Sequence, residues 1–313
     1  MFLLNNIDYR NFDFSKDYFQ VFKKSFNNSV SPQIIIKLKV DNKVFSYDIA
    51  VAKFLFDVRF ATLDQINEFF KKWLENNKDI QEKFEIDINR KSRLFRLEDY
   101  RIVNSFLVSD DEKAAYEENE DYLKIYILDL GGKGLIVNFT DCNYWDWKYT
   151  DNIRDPKQVI KDLALTDFYL KLMDTNMIYF TKNVYVYQGK NSFVPGFKAT
   201  VKAPTGRENC FYGDVFLKDE NADVLMDRFV KYESMLSTNT WKKYSEEEPI
   251  LLFIVEDLET AMRVCETADK YLIKNYRLIT FEDLKNKSLV DGFYKYNNQK
   301  KLQRVLSKHF ALE

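Results

Sequence analysis

Residues Arg59 to Phe70 read RFATLDQINEFF and residues Arg93 to Val108 read RLFRLEDYRIVNSFLV. These two stretches decide the fold of the first half. Thr62 stands where a helix N-cap should be and Gln65 follows three residues on, the spacing of a capping box. Ile66, Phe69, Phe70 and Trp73 then recur at i, i+3, i+4 and i+7, one apolar face of a helix. Upstream, Val51, Phe54, Leu55 and Val58 show the same spacing, and Arg59 to Ala61 interrupts it. Downstream, a third helix is expected from near Asn89, with Leu94 and Leu97 facing inward. Two short helices and a third suit a helix-turn-helix core. Ile102–Val108 and Tyr122–Leu128 are apolar, aromatic and β-branched runs, as strands would be. A long hairpin after three helices is the plan of a winged helix.

Further out, Gln33–Val40 (QIIIKLKV) alternates in its second half and is read as a strand, with Asp41-Asn42 as a turn and Lys43–Tyr47 as a return strand. Gly131-Gly132-Lys133-Gly134 is read as a sharp turn using positive φ. Pro156 opens a helix whose apolar side carries Val159, Ile160, Leu163, Phe168 and Leu172. Beyond it, Ile178–Tyr187, Phe193–Val201 and Phe211–Leu217 read as strands. Leu225, Phe229, Tyr232 and Leu236 mark a helix, Ile250–Val255 a strand buried on both faces, and Leu258–Leu272 another helix. Arg277–Thr280 closes the series as a strand. This β–α–β–α–β order implies a partly parallel sheet covered by helices. The expected class is α/β, α+β overall. The expected organisation is an extension (1–42), a winged helix (43–137), a connector (138–175) and a mixed-sheet α/β domain (176–313).

Composition agrees with such a chain. Its 313 residues suggest about two domains. With 46% hydrophobic and 31% charged residues it can build a core. Eight glycines and five prolines argue against collagen-like or linker-rich designs. Forty-seven Lys and Arg stand against 49 Asp and Glu, a net charge of −2, so nucleic-acid binding would need a local patch. The one histidine, His309, excludes every site built on two histidines. Cys142, Cys210 and Cys265 form neither a zinc pattern nor a disulfide framework, and read as free thiols in a reducing cytosol. The N-terminus lacks the features of an export signal, and no apolar run is long enough for a bilayer. A cytoplasmic protein with no metal, cofactor or membrane partner is expected.

Three places could carry chemistry. Asn89–Arg96 (NRKSRLFR) holds four cations and no acid. Arg90, Lys91, Arg93 and Arg96 are therefore candidate DNA contacts. Arg93 and Arg96 project beside the leucine face, and Arg90 belongs to the turn before it. Taken alone, so short a cluster is more simply a solvated basic face; the helix-turn-helix context favours DNA contact. Residues 109–121 hold seven acids against Lys113, a net charge of −6, which phosphate would repel; a solubilising loop is the simplest account. Asp214, with Lys218 and Glu220 after it, is a weak candidate for a Mg²⁺-dependent nuclease. Phe216, not an acid, holds the place between Asp214 and Lys218 on their shared face. GGKG lacks the GxxxxGK[ST] spacing of a phosphate loop.

The order of parts resembles the replication-relaxation family of plasmid and mobile-element proteins. The matching stretches are RFATLDQINEFF (59–70), RLFRLEDYRIVNSFLV (93–108), YILDLGGKGLI (126–136), VIKDLALTDFYLKLM (159–173), FYGDVFLKD (211–219), RFVKYESML (228–236) and ILLFIV (250–255). The resemblance implies double-stranded DNA binding in plasmid replication, mobilisation or copy control, and a second domain similar to restriction endonucleases. In that pattern a central strand carries Glu-x-Asp, followed by Lys and Tyr on the next helix. Here Tyr212 takes the first place and Asp214 the second, while Lys231 and Tyr232 match the helix. The lost carboxylate implies an inactive nuclease-like domain used for homodimerisation or for contact with replication or conjugation proteins. The alternatives are a metal-dependent nuclease, and a transcriptional regulator or protein-binding adaptor built on the winged helix.

Overall fold

The computed structural model describes residues 8–11, 19–24, 30–78, 90–109, 123–140, 147–182, 185–188, 191–297 and 299–312. It is mixed α/β, with strands and helices in both halves. The chain divides into two compact units, Met1–Thr166 and Asp167–Glu313. That division falls inside the helix read above as a connector.

The first unit contains strand β1 (Phe19–Phe22), helices α1 (Pro32–Val40) and α2 (Ser46–Val58), strand β2 (Phe60–Thr62) and helix α3 (Leu63–Asn76). Helix α4 (Arg90–Asp99), strands β3 (Val103–Ser109) and β4 (Leu123–Leu128), helix α5 (Leu130–Phe139) and the start of α6 (Pro156–Leu172) follow. The four strands pair in the order β1-β3-β4-β2, all antiparallel. The capping box is present: Gln65 N donates to Thr62 Oγ1 at 3.3 Å, and Thr62 N to Gln65 Oε1 at 3.0 Å. Arg59 ends α2 with a φ of 74° and turns the chain directly into β2. Phe54 of α2 stacks on Phe69 of α3 at 4.3 Å.

Three local expectations are corrected. Gln33–Val40 is helical and no return strand follows it, since α2 begins at Ser46. Pro32 at the first helical position pre-sets φ, and Ile35, the one buried residue of α1, lies against the glycine side of α5. That packing outweighs the β-preference of three consecutive isoleucines. Gly131–Gly134 is likewise helix, not a turn. Asp129 caps it by accepting Leu130 N at 2.7 Å. The glycines serve close approach: a Cβ on Gly131 would stand 2.6 Å from the Arg101 carbonyl oxygen, and one on Gly132 would overlap that of Ile102. Finally, α4 takes in Arg90 instead of leaving it in the preceding turn. The acidic segment falls almost wholly on residues 110–122, outside the described residues.

The second unit contains the end of α6, strands β5 (Met177–Thr181), β6 (Val186–Gln188), β7 (Asn191–Phe193), β8 (Phe197–Lys202) and β9 (Glu208–Phe216), and helix α7 (Ala222–Ser237). Strand β10 (Ile250–Val255), helix α8 (Leu258–Lys270), strand β11 (Tyr276–Thr280), helix α9 (Phe281–Asn286) and strands β12 (Phe293–Tyr296) and β13 (Leu302–Val305) complete it. Seven strands form one sheet in the order β13-β12-β11-β10-β9-β8-β5, while β6 and β7 form a separate hairpin. The β9, β10 and β11 strands are parallel and the outer pairs antiparallel, as the alternation of strand and helix led one to expect. Every residue of β10 is buried. One sheet face packs Tyr212, Phe253, Tyr276 and Leu278 against Phe229 and Tyr232 of α7 and Val264 and Cys265 of α8.

Candidate functional site

Helix α4 buries Leu94 and Leu97, as their spacing dictates. Arg96 is exposed. Arg93 turns inward. Its Nε donates to Asp48 Oδ1 at 3.0 Å, its Nη2 to the Lys43 carbonyl at 2.8 Å, and Nη2 also meets Asp48 Oδ2. The guanidinium lies over the rings of Phe45 (5.1 Å) and Tyr47 (5.5 Å). Asp48 is fully buried and the Arg93 side chain is 11% exposed. Burial alone would lower the guanidinium's pKa; the hydrogen bonds and charge of Asp48 outweigh it and hold the pKa above its usual value. Arg93 is thus a strut between α4 and the start of α2, its guanidinium engaged within the first unit. The side chains of Arg90 and Lys91 lie outside the described residues, although both belong to the helix.

Other cations gather at the far end of α4. Lys23, just past β1, donates to Glu98 at 2.8 Å and lies 4.7 Å above the exposed Phe95 ring. Ser105 donates to Glu98 at 2.6 Å, Lys124 of β4 stands 3.6 Å from it, and Lys24 pairs with Asp99 at 3.3 Å. Sequence reasoning missed these lysines. They reach α4 only because β1 pairs with β3 and β3 with β4, and β1 is far from both in the chain.

In the second unit, Asp214 sits on β9 facing α7. Gly196 N donates to its Oδ1 at 2.8 Å and Tyr232 OH to its Oδ2 at 2.7 Å. Arg228 binds both oxygens, with Nε at 2.9 Å and Nη2 at 2.5 and 2.6 Å. The Arg228 guanidinium lies 4.8 Å from the Phe193 ring. Burial, then Asp214, push the Tyr232 hydroxyl well above its usual pKa, so it stays protonated and donating. Both carboxylate oxygens are therefore committed to internal donors. A divalent cation, which needs several oxygen ligands, would have to strip them away.

The other residues of that candidate do not join Asp214. Lys218 is exposed beyond the end of β9, its N donating to Glu256 Oε2 at 2.8 Å and its Nζ 3.6 Å from Glu256 Oε1. Glu220 offers its carbonyl to Arg263 at 3.5 Å. Lys231 pairs with Asp227 at 2.6 Å, and Tyr212 is wholly buried. Among the described residues no group of three or more His, Cys, Asp or Glu could hold a metal ion, and no helix is long and apolar enough to cross a membrane. Compared with protein-family models, with curated proteins and with solved structures, the chain matches none.

Proposed function

We propose that the first unit is a winged helix that binds duplex DNA through α4, in a replication or mobilisation factor of a plasmid or other mobile element. The observation that carries this reading is the topology. Helix α2, strand β2, helices α3 and α4, then the β3–β4 hairpin follow one another, with β2 paired to the second hairpin strand. That order supports reading α4 as the recognition helix of the major groove; α4 opens on Arg90-Lys91 and exposes Arg96. Arg96 and the first turn of α4 make the contacts, without Arg93. The parallel strands and flanking helices of the second unit support a nuclease-like fold, in which Asp214 serves architecture and the unit serves assembly.

The test is fluorescence anisotropy on a labelled duplex across a salt series. Binding should weaken steeply with salt. Arg96→Ala should lower affinity on all sequences and reduce the slope of log affinity against log salt by about 1. Affinity indifferent to salt, or unchanged in Arg96→Glu, rejects the reading.

A further inference from the structure

The second unit gathers cations on the sheet face opposite α7 and α8. Arg277 lies on β11 between Tyr276 and Leu278, both packed in the core under those helices, so its side chain leaves from the other face. The Leu278–Tyr294 pair sets Lys295 of β12 opposite Arg277. A short 3₁₀ turn, Lys308–Phe310, closes over the same face. Phe310 stacks on Phe211 of β9 at 4.8 Å and on Phe293 of β12 at 5.3 Å, and His309 lies 6.3 Å from the Phe211 ring. The aromatic stack thus holds His309 over the same face, near enough to Arg277 for the two charges to interact.

Among the described residues none of the three is ion-paired. Arg277 spends Nη1 on the neighbouring Tyr276 carbonyl at 2.8 Å, and its Nε is buried with no partner. Lys295 lies 6.0 Å from the Tyr276 ring. Ser307, which opens the turn, is buried with an unpartnered hydroxyl. Burial lowers the pKa of Arg277. Burial and then Arg277 lower that of Lys295, and burial, Arg277 and then Arg207 lower that of His309. Arg207 is itself paired with Glu247. Arg277 therefore repels both Lys295 and His309, all three bear a desolvation cost, and an anion would relieve both.

We propose that Arg277, Lys295 and His309 bind the phosphate group of a small ligand. A guanidinium, an ammonium and an imidazole N–H approaching from two strands and a turn suit a tetrahedral oxyanion, which accepts hydrogen bonds in several directions. This site is independent of the DNA reading, since it lies in the other unit and uses none of its residues.

The test titrates the full chain by calorimetry with inorganic phosphate and with adenosine monophosphate, against chloride at matched ionic strength. Saturable binding beyond chloride is expected, weakened about tenfold or more in Arg277→Gln and in Lys295→Gln. Tighter binding of the monophosphate assigns a phosphomonoester; equal binding assigns free phosphate. If Arg277→Gln fails to fold, Lys295→Gln and His309→Asn, both at partly exposed positions, give the same reading. Duplex affinity should stay at the wild-type value in these variants, so the two proposals fail separately. No phosphate binding beyond chloride, or binding unchanged in both Lys295→Gln and His309→Asn, overturns the site.

Discussion

Replacing Arg93 by methionine separates its structural role from a role in DNA contact. The substitution keeps most of the apolar stem against Phe45 and Tyr47 and deletes the charge. Asp48 then remains fully buried, and among the described residues only the Phe45 N–H, at 2.7 Å, still donates to its carboxylate. Breaking a buried ion pair from one side costs about 3–5 kcal/mol. At about 2–4 °C per kcal/mol for a unit of this size, the melting temperature of the first unit should fall by roughly 6–20 °C. Burial already raises the Asp48 pKa, so without Arg93 the carboxyl should take up a proton still more readily. The folded state then binds more protons than the unfolded one, and the variant should regain stability as pH falls from 7 towards 5. Pairing Arg93→Met with Asp48→Leu should recover much of the loss, because no charge is then left buried alone. Thermal unfolding followed by circular dichroism at several pH values reads all three effects. A single Arg93→Met variant that melts like the wild type but binds duplex weakly would return Arg93 to the DNA surface and refute the strut.

Three further expectations follow from the geometry. Asp214→Asn sets an amide donor among the donors of Arg228 and Tyr232 and leaves the guanidinium unpaired, so the second unit should lose about 3 kcal/mol or more in denaturant unfolding. Gly132→Ala drives a Cβ into the Ile102 carbonyl and the Leu128 side chain, and should cost about 1–3 kcal/mol, read as a lower denaturant midpoint at unchanged slope. Burial opposes ionisation of Asp283, but hydrogen bonds from Tyr294 (2.6 Å), Arg304 (2.9 Å) and Thr280 (3.1 Å) outweigh it and hold its pKa below the usual value. That contribution is complete above the unfolded carboxylate pKa of about 4 and is lost as pH falls through the folded value, so Asp283→Asn should flatten the acid limb of a stability–pH curve.

Local signals were legible in the sequence and long-range partnerships were not. The Thr62–Gln65 box, the spacing of Leu94 and Leu97 and the apolar run of β10 each lie within one element, where periodicity and capping chemistry operate directly. The reading of Gln33–Val40 failed because a run of isoleucines and lysines satisfies both periods, and Pro32 together with the seat of Ile35 on α5 decided between them. The glycines of α5 were rightly singled out for the wrong reason: crossing the Arg101–Ile102 backbone needs missing side chains, whereas a turn needs positive φ. Asp214 was found as a carboxylate on a strand, but nothing local says that Arg228, on the following helix, takes both its oxygens.

The fate of the basic residues follows from the near parity of cations and acids. Asp48, Asp129 and Asp214 are each buried, and each takes an arginine: Arg93, Arg101 and Arg228. An arginine satisfies such an acid well, because its planar fork binds both oxygens while its stem packs on apolar or aromatic neighbours. A basic run in the sequence therefore overstates the free positive surface wherever a buried acid lies within reach. The cations that remain for outside partners are those whose neighbours offer no carboxylate. Arg96 meets this condition among the described residues: it faces solvent on α4 with no ion pair, and Asp99, three residues on, pairs with Lys24 instead. Arg277 and Lys295 meet it among the described residues by standing opposite each other across β11 and β12, where the strand register matches one cation with another. The useful question for each arginine of such a chain is which buried acid its own element crosses, and a charge count along the sequence cannot answer it.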